Sequence, residues 1–297
     1  MTKRGWVLFL GMCVLWGIPY LMIKVAVSGV STPMVVFVRT GGAALVLLPL
    51  AVRSLRWSVV RRHWAALLGF AVAEVIVPWG LLSEAERYLP SSLTGLIIAA
   101  VPMVALVAGR LLGDARRAGT QQWIGLVVGF LGVAVLAGPA LVGGQARGIV
   151  LMIPVVIGYA IGPIVVARWL GEVPNLVAVT ICMIASATCY APAAMLSWPA
   201  ELPSAPVLAA LVGLAVVCTA LAFLVFFALL REVETSRAMV FTYVNPAVAV
   251  AAGVVVLDEP LTGIVLASFG LILAGSVLAT ASRAVEGEIE GLPPKEG

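Results

Sequence analysis

The chain has 297 residues, 62% of them hydrophobic and 11% charged, with a mean hydropathy of +1.14, a balance that a water-solvated core of this size does not use. The net charge of +4 invites a nucleic-acid reading, but lysine and arginine collect in the segments between apolar runs rather than in a recognition surface. These facts exclude a soluble enzyme or nucleic-acid binder and predict an all-α membrane protein whose main solvent is lipid.

A span needs about 17 to 25 apolar residues. Ten runs meet or approach that length, the first five being Trp6–Ile23, Pro33–Val52, Trp64–Leu82, Ser91–Ala108 and Trp123–Leu141. The second five are Ile149–Ala167, Leu176–Leu196, Ala205–Leu229, Met239–Leu257 and Leu261–Ala279. Lys3 and Arg4 before the first run imitate a signal peptide, yet no polar domain follows, and the run is read as an uncleaved span. Trp57, Trp64, Trp123, Trp169 and Trp198 stand near run ends, where interfacial aromatics belong. Cys13, Cys182, Cys189 and Cys218 all fall inside apolar runs without metal-ligand spacing and are read as packing residues.

The loops on one side hold fourteen lysines and arginines, including Arg53, Arg56, Arg61, Arg62, Arg116 and Arg117, against Arg87 and Arg147 on the other. That bias predicts cytoplasmic termini. Glu84, Glu86, Glu201, Asp258 and Glu259 are assigned to the outer side. Pro102 to Asp114 recurs as Pro246 to Asp258, at an offset of 144 that also carries Pro19 onto Pro163 and Lys24 onto Arg168. An odd number of spans per half forces the second half to run inverted. The expected organisation is a first five-helix repeat at 1–144, an inverted second repeat at 145–282, and a disordered acidic cytoplasmic tail at 283–297.

Several motifs coincide in one family. Leu15-Trp16-Gly17 with Lys24, Pro33 with Arg39, Ser91 to Pro102 and Gly125 to Gly132 fill the first half. Tyr243 to Pro246, Leu257-Asp258-Glu259-Pro260 and Ser268 to Gly275 fill the second. With these the chain resembles the EamA-like branch of the drug/metabolite transporter superfamily, departing from it at Gly113-Asp114, where the family has Gly-Glu. The resemblance implies a ten-helix basket with a central cavity lined by helices one, three and four of each half. It also implies export of small metabolites, amino acids or amphipathic drugs, with no cofactor. Trp16, Tyr20, Trp79, Tyr159 and Tyr243 are the aromatics on those helices, read either as cavity lining or as packing.

Polar and helix-breaking residues at membrane depth supply the other candidates. Pro102 and Pro246 weaken the fourth and ninth runs near their middle, as hinges or as ordinary membrane prolines. Asn245 must bond either a ligand or a neighbouring helix. Glu74 is the one carboxylate deep within a run, about 12 Å from its outer end, and Arg39 on the neighbouring run lies about 9 Å deep by the same rise per residue. The two are expected to pair, with Lys24 as a second partner of Glu74, either as a static bridge or as a site that binds a cation or exchanges a proton. Gly125, Gly129, Gly132, Gly270 and Gly275 are expected to form packing faces; a monomer and a homodimer both remain open.

An intramembrane enzyme is the rival class. With a single histidine, His63, a His-Glu-x-x-His helix is impossible, and the two aspartates, Asp114 and Asp258, fall on opposite faces. A scaffold or sensor lacks a soluble module to signal through. Nothing matches Gly-x4-Gly-Lys-Ser/Thr, so transport is expected to be secondary rather than ATP-driven, with a small molecule and the lipid bilayer as partners.

Overall fold

The computed structural model describes residues 1–112, 119–234 and 238–290. All regular structure among the described residues is helical. Eight helices are long and apolar enough to cross a membrane: α1 (Lys3–Val27), α2 (Thr32–Ser54), α3 (Trp64–Ala85), α4 (Ser91–Leu111), α5 (Thr120–Pro139), α6 (Ala146–Trp169), α7 (Asn175–Leu196) and α8 (Ala205–Glu232). Two shorter apolar helices follow, α9 (Phe241–Leu257) and α10 (Gly263–Ala279). In lipid every backbone N–H and C=O must be paired internally, so apolar runs of this length settle as helices. Their ends follow local signals. Thr2 caps α1 by accepting from Gly5 N at 3.0 Å, Ser31 caps α2 by accepting from Met34 N at 3.3 Å, and Asp258 ends α9 in the left-handed region at φ 53° ahead of Pro260.

Four helices are interrupted. α1 breaks at Trp16–Ile18 before Pro19, and α4 breaks at Ala99–Ala100 before Pro102. α3 and α8 instead widen into π-helical turns at Val72–Ile76 and Gly213–Leu221. Shifted by the repeat offset of 144, the first π segment falls at 216–220, inside the second.

Packing joins the helices in reciprocal pairs: α2 with α7, α4 with α9, α5 with α10, α1 with α8 and α6 with α3. The α5–α10 contact is made by small residues. A Cβ on Gly275 would overlap the Gly129 backbone, and one on Gly125 would lie 2.7 Å from Gly275 O, so these glycines serve close approach within one chain. Gly132 likewise abuts Leu271 and Ile272, whereas Gly270 has open space. Large apolar side chains such as Leu45 (76% exposed) and Val255 (78%) cover the outside, as lipid contact requires. Trp57, Trp64, Trp123, Trp169 and Trp198 are all exposed near helix ends.

Cross-contacts sort the loops into two ends. Ser31 meets Ser197 at 2.7 Å, Thr32 donates to Glu84 at 2.7 Å, and Arg147 lies 3.7 Å from Glu84, which gathers the segments at 28–31, 84–90, 145–147 and 197. At the opposite end Arg4 pairs with Glu232 and Arg62 with Glu172, both at 3.2 Å.

The last helix continues to Glu290. Two expectations need correction. Cys189 is exposed on α7, unlike the buried Cys13, Cys182 and Cys218. Glu86, assigned to an outer loop, is fully buried. Asp114, Arg116 and Arg117 lie outside the described residues.

Candidate functional site

Glu74 sits in the π turn of α3, which turns its carboxylate toward α6 and α7. Its Oε2 is buried without a hydrogen-bond partner and lies against Gly162, where any Cβ would overlap it. Tyr159 on α6 and Cys182 on α7 are near enough to feel the charge of the same carboxylate. Tyr190 Oη of α7 donates at 2.7 Å to the carbonyl oxygen of Ile76, the last residue of the π turn.

Arg39 is 6% exposed and does not pair with Glu74. Its Nε donates to Thr219 Oγ1 at 3.0 Å and its Cζ lies 3.6 Å over the Trp79 ring, so the cation bridges α2 to α3 and α8. Thr219 Oγ1 in turn donates to Leu214 O at 2.7 Å, within the π turn of α8. The expected Arg39–Glu74 bridge fails because an aromatic face and a hydroxyl already hold the guanidinium, although the two depths were similar. Tyr20, buried against Gly95, and Tyr159 both face Arg39.

Lys24 does not reach Glu74 either. Its Nζ donates to Glu86 O at 2.6 Å and to Leu89 O at 2.8 Å, closing the unpaired carbonyls where α3 ends. The structure therefore places the buried Tyr20, Arg39 and Trp79 and the half-buried Glu74 and Tyr159 in one region of the interior, with Lys24 at its edge.

Other candidates fall outside this group. Trp16 packs among Phe223, Phe226 and Phe241 with ring centroids 5.1 to 5.6 Å apart, an aromatic cluster joining α1, α8 and α9. Asn245, with its amide nitrogen turned to satisfy both ends, donates to Phe241 O at 3.0 Å and Cys13 O at 3.1 Å. The break in α1 sends Gly17 N to Val14 O and strands Cys13 O, so the amide serves a neighbouring helix. Pro102 opens the second piece of α4. The break before it frees Ala99 O, which accepts from Ser276 Oγ of α10 at 2.8 Å. Pro246 lies within an unbroken α9, and Tyr243 is half-buried in its first turn.

Sequence reasoning missed three residues. Thr219 and Glu86 carried no signal, one being a hydroxyl in an apolar run and the other a glutamate among polar neighbours. Glu259 had one, since Ser91-Ser92 after Pro90 marks a helix start that needs an anion. Its Oε1 accepts from Ser91 N at 2.7 Å and Ser91 Oγ at 2.9 Å, and its Oε2 from Ser92 N at 2.9 Å. Burial alone raises the Glu259 carboxyl, but the bonds from Ser92 and Ser91 outweigh it and hold it below its ordinary 4.5. A cleft of about 450 Å³ lined by Arg53, Ser54, Leu55, Arg56, Glu172 and Pro174 lies at the opposite end, away from the buried polar group.

Known proteins give a consistent picture. The chain is 28% identical over 275 residues to the uncharacterized inner membrane transporter YedA of Escherichia coli K12, covering 91% of this chain and 88% of that protein. It is 26% identical to the uncharacterized transporter YvbV of Bacillus subtilis 168, over 95% and 93% of the two chains. An uncharacterized transporter of Archaeoglobus fulgidus is 24% identical over 94% of this chain and all of its own length. A solved crystal structure superposes with a TM-score of 0.67 at 18% identity, covering 95% of this chain and 99% of that one, which shows a shared fold. The sequence profile of the EamA-like transporter family matches twice, over residues 3–138 and 146–281, and the chain belongs to that family of membrane transporters.

Proposed function

We propose that the protein is a secondary exporter that moves a small molecule across the cytoplasmic membrane by alternating access between two inverted five-helix repeats, 1–144 and 145–282. The observation that carries this reading is the buried group around Glu74, held between two π turns at equivalent repeat positions. A charge at membrane depth costs at least ~2.5 kcal/mol on insertion scales, and an unpaired carboxylate kept there has a task beyond packing. Glu74 either binds a cationic group of the substrate or exchanges a proton, while Arg39, Trp79, Tyr20 and Tyr159 shape the space beside it.

Support for the repeats comes from the double profile match and the reciprocal helix pairs, which exchange into one another when the halves are swapped. The arginine-rich end at 52–63 is taken as cytoplasmic together with both termini. Pro102 and the break before it are the natural hinge of the first half, with Pro246 its straighter counterpart.

Uptake and efflux of metabolites and drugs in proteoliposomes, with and without a pH gradient, tests the function. A saturable flux identifies the substrate, and no flux for any compound class would remove the transport reading. Topology is read separately in intact cells lacking the native cysteines. A cysteine replacing Arg53 should resist an impermeant thiol reagent and one replacing Glu201 should react.

A further inference from the structure

At the 84–90 end, Glu86 has no exposed surface and neither carboxylate oxygen has a hydrogen-bond partner. It is the last residue of the α3 end that Lys24 caps, but Lys24 Nζ bonds backbone carbonyls, Glu86 O and Leu89 O, rather than this carboxylate. An ammonium has three donors and two are used, so one remains for a carboxylate that turns toward it. The charged and titratable groups facing Glu86 are Lys24 and Tyr20 from α1, Arg39 from α2 and Glu259 from the turn after α9.

Glu259 is the latch of this end. It ties the turn after α9 to the first residues of α4 through three hydrogen bonds that need its negative charge. A second anion buried nearby, with no donor of its own, repels that charge in a medium that screens poorly. The closed end thus accommodates Glu86 in its neutral form.

We propose that Glu86 is a proton-binding site that works the latch: protonated, it leaves Glu259 on Ser91 and Ser92; ionised, it repels Glu259 and turns to Lys24. The proton passes from the Glu86 carboxyl to water admitted at this end and returns from it; no other bond to hydrogen need change hands. The inference rests on the transport reading for its purpose, namely coupling of opening to a proton, but not for its test.

Spin labels at Arg87→Cys and Leu261→Cys, both exposed positions flanking the latch, report its opening in lipid nanodiscs. Cys13, Cys182, Cys189 and Cys218 are replaced first. Raising the pH should add a longer distance in the parent protein, and Glu86→Gln should keep the short distance across the alkaline range. Loss of Glu259's own charge opens the latch on the acid side, so the two groups are told apart by the direction of the change. A parent that ignores alkaline pH, or a Glu86→Gln protein that opens as the parent does, overturns the proposal. Should Glu86→Gln fail to accumulate, Lys24→Gln decides. Removing the cation that receives the ionised carboxylate should move opening about 1 to 3 pH units upward, and an unmoved midpoint overturns the proposal. The distances need no substrate, so a failure here leaves the transport reading standing, and a failed flux screen leaves this latch testable.

Discussion

The π turns of α3 and α8 lie 144 residues apart in the chain and engage side-chain hydroxyls in different ways. In α3 the Ile76 carbonyl takes a hydroxyl from a neighbouring helix, Tyr190 of α7, and the side chain at the centre of the turn is the unpaired Glu74. In α8 the Leu214 carbonyl takes a hydroxyl from within the turn, Thr219, and the residue 144 positions after Glu74 is Cys218. Thr219 then also receives Arg39 from the first half. One half therefore supplies a carboxylate with no partner and the other supplies the acceptor that fixes the cation. The pairing teaches that two π turns of similar backbone geometry carry different polar side chains.

Exchanging the two side chains breaks this comparison most severely. Glu74→Cys combined with Cys218→Glu should leave a folded, inserted protein without transport, because Cys218 lies 3.6 Å from Met22 and near Arg39 rather than against Gly162. Transport retained by the exchanged protein would make the two turns interchangeable. Thr219→Val comes next. It removes the hydroxyl to which Arg39 Nε donates as well as a side-chain bond to Leu214 O, and loss of a hydrogen bond to a charged group costs about 1.5 to 3 kcal/mol. Tyr190→Phe removes one neutral bond, to Ile76 O, so thermal unfolding in detergent should show a smaller loss, about 0.5 to 1.5 kcal/mol. Equal losses would mean that Arg39 draws nothing from Thr219. Pro246→Ala should have the least effect on the amount of folded protein while slowing transport. An unchanged rate would return this proline to packing.

Much of the fold was legible because lipid permits few solutions. Apolar run length located the helices, and the motifs at both ends of the chain pointed to the family whose profile matches over residues 3–138 and 146–281. Glu74 was legible as a lone buried acid for the same reason. Its partners were not, since depth along a helix gives height but not azimuth, and the π turn changes the azimuth of every residue after it. Arg39 at similar depth consequently met Trp79 and Thr219. Asn245 was legible as a residue that must bond something, and the stranded Cys13 carbonyl became visible only with the break in α1. Glu86 was hidden by its neighbours. Glu84 and Arg87 are partly or well exposed, while the acid between them is fully buried at the end of α3 where Lys24 bonds the backbone.

The central claim is that Glu74 is the carboxylate around which transport turns. Flux of the identified substrate through purified protein in proteoliposomes, followed across pH for the parent and for Glu74→Gln at matched amounts of folded protein, measures it most directly. The account predicts that Glu74→Gln inserts normally but either carries no flux or carries flux that no longer responds to pH. Flux equal to the parent's at every pH would contradict it.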